Sequence, residues 1–203
     1  EEILDEFAAM GGIHVTLSGG EVFLHKDLIQ IAKYCKEKDL IISILSNLIS
    51  LKDEYIQPLK DLNISIIQVS LYSMDPAIHD YITTVKGSFE KTKMAIEKLV
   101  RADIPVQISC PIMKANRLGY GEVLDYAHSL KIKAQTDFIM MARSDLNTDN
   151  LANRLSLDET EHLLRDILDH NVTYREESLL HASSVKDNSS ETFKKQPVCG
   201  VGY

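Results

Sequence analysis

Five short runs of apolar, largely β-branched residues recur along the 203-residue chain, and the gaps between them carry apolar residues at helical spacing. The five runs, which predict strands, are His14 to Leu17, Leu40 to Leu45, Ile64 to Leu71, Val106 to Ile112 and Ala134 to Met140. In the first gap, for example, Leu28, Ala32 and Cys35 lie three and four positions apart. Strands that alternate with helices predict an α/β fold with a parallel sheet buried on both faces. The regular unit length fits either a doubly wound sheet or a segment of a barrel.

The net charge and the hydropathy of the chain limit the binding partners and the cellular compartment that we expect for it. The net charge of -8 disfavours a nucleic-acid partner, because proteins that bind nucleic acids usually present a basic surface. No apolar run approaches the roughly 20 residues that span a bilayer, and no signal peptide is recognisable, so we expect a cytoplasmic protein that does not enter a membrane. The three cysteines are far apart, unlike a secreted disulfide framework. We expect Cys35 and Cys110 to be buried core residues.

The turn that follows the first predicted strand is Ser18-Gly19-Gly20-Glu21. In parallel α/β folds, ligands bind beyond the carboxyl ends of the strands. Two adjacent glycines allow unusual backbone dihedrals and let a ligand approach the backbone closely. The Glu21 carboxylate would repel a phosphate and would suit a ligand ammonium group. On these residues alone, the turn could also be a tight connection with a glutamate near a helix N-terminus.

Small polar residues also mark the ends of the next two predicted strands. Ser46 and Asn47 follow the second strand, and Ser70 lies at the end of the third. Each of them alone could be a turn residue or a cap. Because the carboxyl ends of parallel strands meet at one edge of the sheet, the set favours a shared ligand site there.

Residues 15–21, Val-Thr-Leu-Ser-Gly-Gly-Glu, resemble the glycine-glycine-glutamate motif of radical S-adenosylmethionine (SAM) enzymes. In that family the motif follows the second strand of a partial parallel (β/α) barrel and contacts the amino group of the methionyl moiety. The resemblance implies that Gly19, Gly20 and Glu21 hold the amino-acid end of SAM.

Later segments resemble the same family in the same order. Ser46-Asn47 is similar to its threonine-asparagine-glycine turn, although Leu48 stands where glycine is usual. Ser70 and the segment after it are similar to a region whose serine lies near the cofactor. Arg143 lies in a stretch that resembles a late segment, where the arginine would meet the cofactor carboxylate.

The cysteine motif that defines the family is absent from the chain. Three cysteines spaced CxxxCxxC hold its [4Fe-4S] cluster, and none of the present cysteines has that spacing. The resemblance places the motif after a first barrel strand, ahead of Glu1, so we expect the chain alone not to bind this cluster. Near the other end, Cys199 resembles the opening of the SPASM extension, which holds auxiliary iron-sulfur clusters. It is therefore a candidate metal ligand.

The resemblance covers nearly the whole chain and divides it into two parts. Residues 1–182 are predicted to be the partial-barrel core without its first strand, and residues 183–203 a linker and the start of the SPASM-like extension. The chain is thus expected to be truncated at both ends. At its start, the inner face of a helix is predicted from four apolar residues, Ile3, Leu4, Phe7 and Met10.

For an intact parent protein, the resemblance implies an iron-sulfur oxidoreductase that reductively cleaves SAM to a 5′-deoxyadenosyl radical. The radical would act on a peptide or protein substrate, and a flavodoxin or ferredoxin would supply the electron. No residue is predicted to be a catalytic acid or base. Two alternatives stay open: a non-radical barrel enzyme whose glycine turn binds a phosphorylated substrate, and a barrel without a cluster that serves as a binding module.

Overall fold

The computed structural model describes residues 1–142 and 145–169, and its centre is a five-stranded parallel sheet. The strands are β1 (His14–Leu17), β2 (Ile41–Ser46), β3 (Ile66–Ser70), β4 (Val106–Pro111) and β5 (Lys133–Asp137). All five predicted strands are confirmed, and β5 differs most, because it ends before the apolar residues that follow Asp137.

Helices lie in every gap between the strands, and one helix precedes β1. They are α1 (Glu2–Ala9), α2 (Leu28–Glu37), α3 (Ile56–Asp61), α4 (Pro76–Thr83), α5 (Ser88–Arg101) and α6 (Tyr120–Ser129), and residues 157–169 form a further helix, α7. Short 3-10 helices are Val22–Leu24, Asp53–Tyr55 and Asp149–Asn153.

Local sequence signals explain where two of these helices begin. Asp75 caps α4 by accepting a hydrogen bond from the N–H of Ala77 at 2.8 Å, with proline at the first helical position. Ser156 and Glu159 form a reciprocal capping box at the start of α7, with bonds of 2.8 and 3.2 Å. Both starts therefore satisfy backbone donors that a bare helix end would leave free.

The order of the strands decides between the two predicted architectures. Each strand lies beside its neighbours in sequence, in the order β1-β2-β3-β4-β5, whereas a doubly wound sheet would reverse direction part of the way along the chain. Because crossovers between parallel strands are right-handed, an unreversed order brings the connecting helices to one face. Accordingly, α2 packs against β2, α5 against β4, and α6 against both β4 and β5. The sheet is an open segment of a parallel barrel, as predicted.

The face of the sheet that the helices cover is the hydrophobic core. Ile42 and Ile44 of β2, Ile67 and Val69 of β3, and Ile108 of β4 are fully buried. The helices contribute the buried residues Ala32, Leu59, Ile96, Leu99 and Val123. Removing each large side chain of this kind from water contributes about 1.5–3 kcal/mol.

The opposite face of the sheet is mostly polar and partly exposed, although Leu45 and Ile66 also lie on it, so the prediction that both faces are buried is wrong. Gln68 and Ser70 alternate with buried apolar residues along β3, and Gln107 and Ser109 do so along β4. The register aligns each glutamine with the other and each serine with the other. We call this surface the polar face. Its uncharged polar residues are Thr16, Ser43, Gln68, Ser70, Gln107, Ser109 and Gln135, and its charged residues are Lys133 and Asp137.

Helix α1 is joined to α2 by polar contacts. The Asp5 carboxylate lies 2.6 Å from the Lys38 ammonium and accepts a 2.7 Å hydrogen bond from the Tyr34 hydroxyl. Hydrogen bonding from Lys38, and then from Tyr34, lowers the pKa of Asp5. The predicted inner face is confirmed in part, because Leu4 and Phe7 are half-buried. It is wrong for Ile3 and Met10, which are 81% and 79% exposed.

Residues 1–161 form one compact unit. The predicted boundary between residues 182 and 183, and the linker and extension after it, lie outside the described residues. Among the residues described, the structure contains no helix long and apolar enough to cross a membrane. Cys35 and Cys110 are buried, as predicted.

Candidate functional site

The turn after β1 is open to solvent at its two glycines. Gly19 and Gly20 are exposed, and a Cβ atom placed on either would meet no other atom within 4 Å. Neither glycine has a φ angle in the left-handed region, so the turn does not use the backbone freedom that glycine allows there. Both glycines have open space around them, which leaves the backbone of the turn accessible to a ligand.

The Glu21 carboxylate is fixed by three hydrogen-bond donors. Its Oε1 atom accepts from the N–H of Phe23 at 3.1 Å and from the hydroxyl of Ser46 at 2.6 Å. Its Oε2 atom accepts from the N–H of Asn47 at 2.9 Å. These bonds join the turn after β1 to the turn after β2. Because each carboxylate oxygen can accept about two hydrogen bonds, Oε1 is filled and Oε2 keeps one acceptor position.

The turn after β2 holds a leucine in a conformation that favours glycine. Leu48 has a φ angle of 59°, and its side chain is 1% exposed. Its N–H donates to the Ser46 hydroxyl oxygen at 2.8 Å, while Thr92 of α5 donates to the Asn47 carbonyl at 2.8 Å. The buried side chain and the bonded backbone therefore hold the turn in place without the glycine that is usual in the family.

Ser70 lies on a different surface from Glu21 and the residues bonded to it, Ser46 and Asn47, which we call the Glu21 cluster. It ends β3, where it is aligned with Ser109 of β4. Ser46 is aligned with Val69, so alternation along the strands places the side chains of Ser46 and Ser70 on opposite faces of the sheet. The structure thus brings Ser46 and Glu21 together and leaves Ser70 on the polar face.

Asn116, which sequence analysis missed, ties together the loops after β3 and β4. It is 1% exposed, and its Nδ2 atom donates to the carbonyls of Tyr72 at 2.7 Å and Pro111 at 3.0 Å. Its Oδ1 atom accepts from the N–H of Met113 at 2.8 Å. Asn116 lies 44 positions from Tyr72, so no local pattern marks it. The bonds fix both loops at the carboxyl edge of the sheet.

Asp80 and His79 of α4 position the start of α5. Asp80 accepts hydrogen bonds from the N–H of Gly87, the N–H of Phe89 and the hydroxyl of Ser88. The backbone donors Phe89 and Gly87 lower the pKa of this carboxyl below its usual value. His79 is 1% exposed with its Nδ1 atom 3.1 Å from the Ser88 hydroxyl, and burial lowers the pKa of the imidazole.

Residues 1–142 and 145–169 do not supply a ligand set for an iron-sulfur cluster. In those ranges no group of three or more His, Cys, Asp or Glu side chains could hold a metal ion. Burial raises the pKa of the Cys35 thiol and raises that of Cys110 to about 12, which opposes the thiolate form that binds iron. Cys199 and Arg143, the predicted auxiliary ligand and carboxylate contact, lie outside the described residues.

Comparison with known protein families gives a match to the radical SAM superfamily over residues 1–126. The AdoMet-dependent heme synthase of Methanosarcina barkeri is 28% identical over 141 residues, covering 70% of this chain and 40% of that protein. The PqqA peptide cyclase of Methylocella silvestris is 26% identical over 129 residues, covering 64% and 35%. A probable GTP 3',8-cyclase of Methanococcus aeolicus is 34% identical over 128 residues, covering 60% and 41%. The chain therefore spans about two fifths of the length of these relatives.

Solved structures show the same fold. Streptococcus suis SuiB bound to S-adenosylmethionine superposes with a TM-score of 0.68 at 18% identity, covering 86% of this chain and 38% of that one. SuiB bound to its precursor peptide SuiA gives a TM-score of 0.67 at 18% identity, covering 86% and 39%. A domain of the pyruvate-formate lyase-activating enzyme from Bacteroides vulgatus gives 0.59 at 21% identity, covering 79% and 96%.

Proposed function

The chain belongs to the radical SAM superfamily, and from that membership we propose that its β1 turn holds the amino-acid end of SAM in a radical SAM oxidoreductase that modifies a peptide or protein. One observation carries the proposal. The Glu21 carboxylate is oriented by three donors directly after an open two-glycine turn, and one of its oxygens keeps an acceptor position.

The methionyl end of SAM fits these residues chemically. Its ammonium group can donate to the Oε2 atom of Glu21, and a charge-assisted bond of this kind contributes roughly 1.5–3 kcal/mol. Gly19 and Gly20 leave room for the ligand beside the backbone. Because Ser46 and Asn47 already hold the carboxylate, it need not reorient when the cofactor binds.

The chemistry of the proposal is divided between the cofactor and the protein. When bound and reduced by one electron, SAM supplies a radical that can remove hydrogen from a substrate. The chain would orient the cofactor and keep water from the reactive centre. The [4Fe-4S] cluster and an electron donor such as flavodoxin or ferredoxin are part of the proposal, and Cys199 is a candidate ligand of an auxiliary cluster.

A peptide or protein substrate is proposed from the relatives' names. PqqA peptide cyclase and the sporulation killing factor maturation protein SkfB are among the proteins matched, and SuiB was crystallised with a precursor peptide. The heme synthase and the GTP cyclase are named for other substrates, so the proposal of a peptide or protein substrate rests on the peptide-modifying relatives alone.

The phosphate-binding alternative is disfavoured by the bonds of the site. The N–H groups of Phe23 and Asn47, which lie close to the glycine turn, already donate to Glu21 and are not open to a phosphate bound there. The carboxylate would also repel the phosphate.

Titration of the ¹⁵N-labelled chain with SAM, followed by NMR, tests the proposal. We expect the amide signals of Gly19, Gly20 and Asn47 to shift and saturate with SAM, and to stay unchanged with sodium tripolyphosphate. Saturable shifts with tripolyphosphate alone would instead support the phosphate alternative. No shift with either ligand would contradict a cofactor site at this turn.

A further inference from the structure

The polar face carries hydrogen-bonding side chains that the Glu21 cluster does not use. The inward positions of a closed parallel barrel are usually filled by bulky branched residues that pack against one another. Here Gln68, Ser70 and Ser109 are half-buried, and their side chains make no hydrogen bond within residues 1–142 and 145–169. Because these polar side chains are still partly exposed, their donors and acceptors are open to a ligand.

Two glutamines on this face form a bonded pair. The Nε2 atom of Gln107 donates to the Oε1 atom of Gln135 at 3.0 Å. This bond leaves the Gln107 carbonyl oxygen as an acceptor and the Gln135 amino group as a donor. Rotating both carboxamides by half a turn exchanges these roles and still leaves one carbonyl oxygen and one amino group. In either orientation, the pair offers a donor and an acceptor side by side.

Few charges accompany the pair. Within the five strands, the charged side chains on this face are Lys133 and Asp137, at opposite ends of β5. The His14 ring on β1 is bonded to the Ser43 hydroxyl through Nε2 at 2.8 Å. A substrate with several phosphates or carboxylates would face the exposed carbonyl of the glutamine pair without enough cations to compensate. A neutral amide would satisfy both the donor and the acceptor.

We propose that the polar face binds a main-chain amide of a peptide substrate through the Gln107 and Gln135 pair. Each peptide unit presents one N–H and one C=O, which match the free carbonyl and amino group of the pair. Gln68, Ser70 and Ser109 supply further polar contacts along the same face. The inference rests on the proposed function, because it assigns a surface to the peptide substrate that the proposed function requires. It makes Gln107 and Gln135 determinants of specificity for a neutral peptide over a polyanion.

NMR of the ¹⁵N-labelled chain, which observes side-chain carboxamides directly, tests the inference. The signals of Gln107 and Gln135 are assigned from single alanine variants, and the probe is acetyl-trialanine amide. We expect saturable shifts of both carboxamide signals with this peptide and no shift with sodium tripolyphosphate. Gln107→Glu replaces the carboxamide by a charged acceptor and should weaken peptide binding about tenfold.

Matched variants separate binding from folding. Gln30→Glu makes the same change on the exposed surface of α2 and should leave peptide affinity unchanged. Gln135→Met keeps the length of an exposed side chain, removes its hydrogen bonding and should also weaken binding about tenfold. Absence of saturable shifts with the peptide, wild-type affinity in folded Gln107→Glu and Gln135→Met, or tighter binding of tripolyphosphate would each overturn the inference.

The outcome is distinguishable from that of the cofactor proposal. A chain that binds the peptide at these glutamines but fails to bind SAM would contradict the proposed function and support the polar-face inference. A chain that binds SAM at the glycine turn but does not bind the peptide would support the proposed function and contradict the polar-face inference.

Discussion

The hydroxyl of Ser46 donates a 2.6 Å hydrogen bond to the Oε1 atom of Glu21, and so links the ends of two neighbouring strands across 25 positions of sequence. The same hydroxyl oxygen accepts a 2.8 Å bond from the N–H of Leu48. One small side chain therefore orients the carboxylate proposed to meet SAM and closes the turn beside it.

Ser46→Ala should lower both stability and cofactor affinity. The variant removes two hydrogen bonds, so we expect the free energy of unfolding in urea to fall by about 1–2 kcal/mol. SAM should bind more weakly because the carboxylate loses one of its fixed donors. Ser65→Ala, at an exposed serine, is the control and should change neither quantity. Equal stability and affinity in the two variants would show that the Ser46 bond has no such role.

Leu48→Gly should destabilise the chain even though it relieves an unfavourable backbone conformation. Relief of the left-handed φ angle is worth about 1–2 kcal/mol, whereas loss of a buried leucine costs about 2–5 kcal/mol. The free energy of unfolding should therefore fall by about 2 kcal/mol, the middle of the range that these two terms give.

Leu146→Gly is the matched control, because Leu146 has a φ angle of 65° but is 84% exposed. Because Leu146→Gly removes no buried side chain, this variant should have an unchanged free energy of unfolding or be up to about 1 kcal/mol more stable. Stabilisation by Leu48→Gly would mean that strain outweighs burial in the turn after β2.

The strands were predictable because hydrophobic runs and helical spacing are local patterns. The glycine turn and Glu21 were equally visible in the sequence. The contacts that complete the site were not, since Thr92 reaches the Asn47 carbonyl across 45 positions. The polar face was missed because Gln68 and Gln107 lie singly within apolar runs, and only the alignment of strands places them on one surface.

Stability should fall on mild acidification because His79 is buried. Burial holds the pKa of the folded imidazole below its ordinary value of 6.5, so the unfolded chain takes up a proton that the folded chain does not. The His79 contribution is therefore present above about pH 6.5 and is lost as the pH falls, with a slope of at most about 1.4 kcal/mol per pH unit.

His79→Gln should flatten the dependence between about pH 6.5 and pH 5, as measured by urea unfolding at a series of pH values. The neighbouring Asp80 also has a lowered pKa, but its ordinary value is 3.8, so its contribution is lost only in more acidic solution. If the free energy of unfolding changed equally with pH in the wild type and in His79→Gln between about pH 6.5 and pH 5, the contribution assigned to His79 would be contradicted.

The edge at β1 should promote self-association. Within the residues described, β1 pairs only with β2, and Met10 and Ile13 just before it are 79% and 71% exposed. Unpaired strand edges beside apolar residues readily pair with other chains. Sedimentation equilibrium should show association that rises with concentration and is reduced in Thr16→Lys, which places a charge on the edge strand. A monomer at all concentrations for the unmodified chain would rule out an available edge.

Calorimetric titration of SAM into the wild-type chain and Glu21→Gln tests the central claim most directly, with Glu37→Gln as an exposed control that makes the same charge change. Circular dichroism confirms that all three are folded. Loss of the charge-assisted bond should weaken SAM binding in Glu21→Gln by roughly ten- to a hundredfold, and Glu37→Gln should bind like the wild type. Equal affinity for SAM in well-folded wild type and Glu21→Gln would contradict the assignment of Glu21 to the cofactor.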